Sequence, residues 1–173
     1  MFVVRDCIHI KAPIERCFLL STSIDLMQRS VRLQISKGSS SRCSGLAQAG
    51  DRVVWRGWWR GLPLLHESVV TNYESPIFFR ETVESSTFKR FEHELRFTEI
   101  AGHVLLTGSI RFSLPLGALG RWFARRTVLP RLMELLRQRL HLLRLVAESN
   151  QWTQYVAQNA TYLENDHLSE MIP

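Results

Sequence analysis

Hydrophobic and polar residues alternate with period two over most of residues 1–115 and then recur at three-and-four spacing, so a strand-forming stretch is followed by a helical one. Phe2 to Ile10 puts Val4, Ile8 and Ile10 on one side of a strand. Pro13 then opens a helix, because its fixed φ and missing donor are harmless in a first turn; Ile14, Cys17, Phe18 and Leu20 form the apolar side. Ser23 is placed to cap a second short helix over residues 24–28. The Ser- and Gly-rich residues 37–50 predict a mobile connection at the rim of a pocket.

From Asp51 the alternation resumes, with Val53, Trp55, Gly57 and Trp59 facing inward and Arg52, Arg56 and Arg60 outward. The strand over residues 64–73 sets Leu64, His66, Ser68 and Val70 against Leu65, Glu67, Val69 and Thr71, so composition leaves its phase open. Past Ser75-Pro76, Ile77, Phe79, Glu81 and Val83 alternate with Phe78, Arg80, Thr82 and Glu84. Phe91, His93, Leu95 and Phe97 then alternate with Glu92, Glu94, Arg96 and Thr98, which places His93 in an otherwise apolar row. Ala101-Gly102 turns the chain into Val104, Leu106, Gly108, Ile110 and Phe112. Leu116 to Glu148 reads as one long helix with Leu129, Leu132, Met133, Leu136, Leu140, Leu143 and Ala147 on a single face; Pro130 should kink or split it. The expected fold class is α+β, with about six antiparallel strands gripping a long C-terminal helix and two short helices after the first strand. Residues 1–149 form one domain in this reading, and residues 150–173 a tail that adds a short helix or hangs loose.

Composition narrows the function classes. No run approaches the roughly 18 apolar residues needed to cross a bilayer, and Arg5 and Asp6 interrupt any export signal, so a cytoplasmic location is expected. Cys7, Cys17 and Cys43 have neither metal spacing nor a disulfide pattern, and no cofactor is implied. The net charge of +6 is concentrated on the long helix: Arg121, Arg125, Arg126, Arg131, Arg137, Arg139 and Arg144 stand against Glu134 and Glu148. That row is read as a solvated face, with peripheral contact to an anionic membrane as the alternative; no specific nucleic-acid partner is expected.

The segments K-A-P-I-E-R-C-F, G-D-R-V-V-W-R-G, G-L-P-L-L-H, Y-E-S-P-I-F-F-R, F-K-R-F-E-H-E-L-R-F and S-L-P-L-G-A-L-G-R resemble the SRPBCC or START-like superfamily, and within it the small polyketide cyclase/dehydrase-like ligand-binding proteins. The resemblance covers residues 2 to about 148. It implies a helix-grip fold, a curved sheet wrapped around the C-terminal helix with a deep apolar cavity for lipids, sterols or aromatic polyketides. Relatives often carry Gln where this chain has Val83 and His where it has Leu95, so this interior is less polar than the family pattern.

Aligned on that pattern, His66 faces inward with Val70, and Glu81 with Phe79. With a short loop over residues 85–89, Glu81 and His93 come opposite one another at the roughly 5 Å of cross-strand neighbours. A Glu beside a buried His holds the imidazole in one tautomer and can serve general acid/base chemistry, anchor a ligand, or merely satisfy two buried polar groups. Two His and one Glu can also hold a metal, although no metal is called for. Trp55, Trp59, Phe79, Phe91, Phe97, Leu106, Met133 and Leu136 complete the expected pocket wall around His66, Glu81 and His93. No G-x-S-x-G, P-loop, H-E-x-x-H or dinucleotide fingerprint occurs. The first expectation is therefore a binding protein for a small hydrophobic ligand. The alternatives are a cyclase/aromatase-type enzyme using His93 and an interaction protein using the arginine face.

Overall fold

The computed structural model describes residues 1–31, 34–35, 43–59, 62–85, 88–115 and 117–156. Its strands are β1 (Phe2–Ile10), β2 (Gln34–Ile35), β3 (Arg52–Trp59), β4 (Leu62–Glu74), β5 (Phe78–Ser85), β6 (Arg90–Ile100) and β7 (His103–Ser113). They form one antiparallel sheet in the order β1-β7-β6-β5-β4-β3-β2, so the expected six are present and the two-residue β2 extends the far edge. The β6–β7 hairpin closes through Ala101 and Gly102, both at positive φ (49° and 78°), the geometry that matches a two-residue turn to the twist of its strands.

The alternation sorts as predicted in β1, β3, β6 and β7, whereas at the start of β5 Ile77 is exposed and Phe78, of the opposite row, is buried. Val4, Ile8 and Ile10 of β1, Val53 and Trp55 of β3, Leu95 and Phe97 of β6, and Leu106, Ile110 and Phe112 of β7 are all buried. Strand β4 is ambiguous in sequence for a physical reason: the β4–β5 register shifts between Glu67 and Ser68 and again between Val70 and Asn72. Irregular pairing breaks strict alternation, and Ser68, Val69 and Val70 are buried in succession.

Helix α1 (Ile14–Thr22) begins behind Pro13 and buries Cys17, Phe18 and Leu20. Helix α2 (Ile24–Val31) follows, with the Ser23 hydroxyl accepting the Leu26 N–H at 3.3 Å as its cap. Of the connection expected to be mobile, residues 37–42 lie outside the described residues, while the remainder is anchored. Ala47 is buried and donates its N–H to the Thr22 carbonyl at 2.9 Å, and the Gly45 carbonyl accepts from the Ile24 N–H at 2.9 Å.

The long C-terminal helix runs from Gly117 to Ala147 and is divided as Pro130 suggested: α3 (Gly117–Phe123), a π-helical turn (Ala124–Val128) and α4 (Leu129–Ala147). Pro130 sits in the first turn of α4. Leu132, Leu136, Leu140, Leu143 and Ala147 are buried, but Met133 is turned out and 45% exposed, while Arg139 is only 8% exposed. At roughly 100° per residue, Arg139 falls between Leu132 and Val146, inside the buried stripe, and Met133 lies at its margin. The arginine row is thus not uniformly solvated. Helix α4 lies along β1 and β7 and against α1 and α2. Beyond it Trp152 packs under Arg16 at 4.4 Å, and the Tyr155 hydroxyl accepts from Arg29 at 2.8 Å; tail residues 157–173 lie outside the described residues.

Candidate functional site

One row of side chains crosses the inner face of five strands. Val4, Ile110, His93, Glu81 and Val70 are successive register partners on β1, β7, β6, β5 and β4. Period-two alternation puts all five on the same face, and the β5–β6 register sets Glu81 directly opposite His93, as the short-loop argument required. Glu81 Oε1 lies 2.8 Å from His93 Nδ1. From above, Arg139 of α4 brings Nη1 to 3.2 Å from the same oxygen and 3.1 Å from His93 Nδ1, and donates through Nη2 to the Ser21 carbonyl at 3.3 Å. The three side chains belong to residues at most 8% exposed.

Charge and tautomer follow from this geometry. Burial favours the neutral form of Glu81, but the His93 hydrogen bond and the Arg139 cation outweigh it and bring the carboxyl down to about 2. Burial, together with the Arg139 cation, pushes His93 below its ordinary 6.5 despite the Glu81 carboxylate. The cluster at neutral pH is therefore Arg⁺, Glu⁻ and neutral His. An ionised Glu81 accepts, so Nδ1 carries the proton and Nε2 is a bare acceptor. That Nε2 is buried and has no hydrogen-bond partner among the described residues. Such an orphaned acceptor is destabilising, by about 1–3 kcal/mol.

His66 lies on the same face beside the cluster, half-buried, its ring edge-on to Phe91 at 5.4 Å. Burial pushes it down as well, opposed by the Glu81 charge, but no hydrogen bond joins it to the pair among the described residues. Trp55, its register partner, donates Nε1–H to Ser68 Oγ at 3.0 Å. Phe79, Phe97, Leu106 and Leu136 are fully or almost fully buried: Phe97 packs on Phe18 at 5.5 Å, and Leu136 lies on Gly108, where β7 has no side chain to hold the helix off. Met133 is excluded from the interior by its exposure, and the Trp59 side chain lies outside the described residues.

Beside the cluster lies a space of about 10 Å³ lined by Leu20, Ser21, Leu26, Met27, Ser30, Arg139, Leu142 and Leu143, at the lower limit for one water. Arg139 is the functional residue that sequence reasoning missed. Its signal was present, since it stands three residues after Leu136 and four before Leu143 on an apolar stripe.

No family model matches the chain, and no curated protein matches it in sequence. Solved structures do match in fold. The Thermus thermophilus protein TTHA0849 is 18% identical, with 86% of this chain and 100% of that one covered at a TM-score of 0.62. A START superfamily protein from Mycobacterium smegmatis is 11% identical over 84% of this chain and 94% of its own (TM-score 0.55), and major latex-like protein 151 from Panax ginseng 10% identical over 86% and 98% (TM-score 0.57). At these identities the likeness concerns architecture alone: the chain has a helix-grip fold similar to that of these proteins.

Proposed function

We propose that the protein binds a small hydrophobic molecule whose polar end, a hydroxyl or N–H, donates to His93 Nε2. One observation carries this reading: beside the Glu81–His93 hydrogen bond, the buried His93 Nε2 has no donor among the described residues. A charged cluster is a poor way to stabilise an interior, because well-packed apolar residues of the same volume do as well or better. Its retention in an otherwise apolar row supports a recognition role. The apolar neighbours Phe79, Phe91, Ile110 and Val70 suit a ligand that is hydrophobic apart from that one group. A lipid, a sterol-like alcohol and a phenolic polyketide all fit this description.

Native mass spectrometry of freshly purified protein tests the first half, and a bound apolar molecule is expected. Affinities for an apolar alcohol and its methyl ether test the second. The alcohol should bind roughly tenfold more tightly, and His93→Leu should erase the difference. A protein that carries no ligand and takes up no apolar compound would end this reading.

General acid/base chemistry is the second reading, favoured by the way Glu81 fixes Nδ1–H and frees Nε2. Arg139 at 3.1 Å opposes it, because a protonated imidazole there would stand beside a guanidinium. The cluster is better suited to accept a hydrogen bond than to carry a proton. If a polyketide substrate is turned over and His93→Ala abolishes kcat while leaving KM unchanged, the order of the two readings reverses.

A further inference from the structure

We propose that α3 docks the protein on an anionic lipid bilayer. The helical stretch from Gly117 has two apolar sides. The inner one is small: Gly120, Ala124 and Val128 are buried, and a Cβ at Gly120 would run into the Pro115 carbonyl. The outer one is large, with Leu119 76%, Trp122 69% and Phe123 37% exposed. Leu119, Trp122 and Phe123 are spaced i, i+3, i+4, so they share one side of the helix. The large residues of this element therefore face away from the core, the reverse of what folding alone favours.

The charges around this face narrow its partner. Arg126 falls within this face and Arg125 at its edge at roughly 100° per residue; Arg121 and Arg131 are exposed too, and no Asp or Glu occurs from Gly117 to Met133. A second copy docked face to face would bring like-charged arginines together. Two large side chains and the edge of a third present roughly a few hundred Å², well below the roughly 1,000 Å² of a specific protein interface. A bilayer has no such threshold, since it moulds to the inserted groups. Trp at headgroup depth, Leu in the acyl boundary and flanking Arg on anionic headgroups are the arrangement of an interfacial helix. No helix of the described residues is long and apolar enough to span a membrane, so the contact is peripheral. This surface lies outside the Arg139–Glu81–His93 cluster, and the inference stands whether or not the ligand reading holds.

Co-sedimentation of the full chain with vesicles of phosphatidylcholine, with and without phosphatidylserine, tests the proposal. Binding is expected only to the anionic vesicles, weakening as salt is raised. Arg125→Gln and Arg126→Gln should each lower partitioning roughly fivefold. Leu119→Ser with Trp122→Ser should lower it roughly tenfold or more, with an unchanged circular dichroism spectrum. The proposal is overturned by any of three results: no binding to anionic vesicles at low salt, undiminished binding of the Leu119/Trp122 variant, or a wild-type dimer that the same variant dissociates, which would assign the face to a second copy.

Discussion

Arg139 on α4 and Glu81 on β5 are joined at 3.2 Å in the interior, the charged link between the closing helix and the middle of the sheet. Each has a second partner: Glu81 accepts from His93, and Arg139 donates to the Ser21 carbonyl of α1. The pair thus holds together β5, β6, α1 and α4.

Arg139→Leu should destabilise the protein by about 3–5 kcal/mol, because it removes the cation opposite a buried carboxylate. Adding Glu81→Leu and His93→Leu should restore most of that loss, since no buried charge then remains. Chemical denaturation of the single and triple variants checks the sign. A triple variant that is stable yet no longer discriminates an apolar alcohol from its ether would separate recognition from folding.

Stability should fall on acidification in two stages. His93 is held below 6.5 in the folded state, so as pH drops under 6.5 the unfolded chain takes up a proton that the folded one refuses. This stage approaches about 1.4 kcal/mol per pH unit for that one residue. Glu81, held at about 2 against an ordinary 4.5, contributes stability that is present above 4.5 and lost as pH falls towards 2. Thermal melting from neutral to acid pH checks both, and His93→Gln should reduce the upper stage to the part contributed by His66, which burial also holds down.

Gly108→Ala should destabilise by about 1–3 kcal/mol. An added Cβ would stand 2.7 Å from Leu136 Cδ1, and Leu136 is buried in the core. Pairing it with Leu136→Ala should offset part of the loss, which a double-mutant cycle would measure as coupling.

Ser23→Ala should remove the α2 cap and destabilise by about 1 kcal/mol. Ser23→Asp should cost more than Ser23→Ala, because the site is fully buried and a carboxylate would be desolvated there for one 3.3 Å hydrogen bond. Urea midpoints of the two variants give the comparison.

Strand faces, the two short helices and the site of the helix break were legible in the residues because each depends on neighbours only a few positions away. Alternation assigns Phe91, His93, Leu95 and Phe97 to one face whatever lies above them. Pro13, Ser23 and Pro130 act through their own backbone chemistry. The Glu81–His93 opposition was also within reach, since two strands joined by a short loop leave little choice of register. Strand β4 escaped this logic where its bulges interrupted the alternation.

Tertiary structure decided which arginine belongs to the interior. Periodicity places Arg139 on the apolar stripe, but a guanidinium is buried only where an anion waits, and Glu81 lies 58 residues earlier on another element. Met133, at the margin of that stripe, is turned outward. The outward Leu119 and Trp122 were likewise set by the fold, because the side of α3 that meets the chain at Pro115 has room for a glycine and little else. Local order is written in consecutive residues; burial of charge and exposure of large apolar groups depend on what the finished fold brings opposite them.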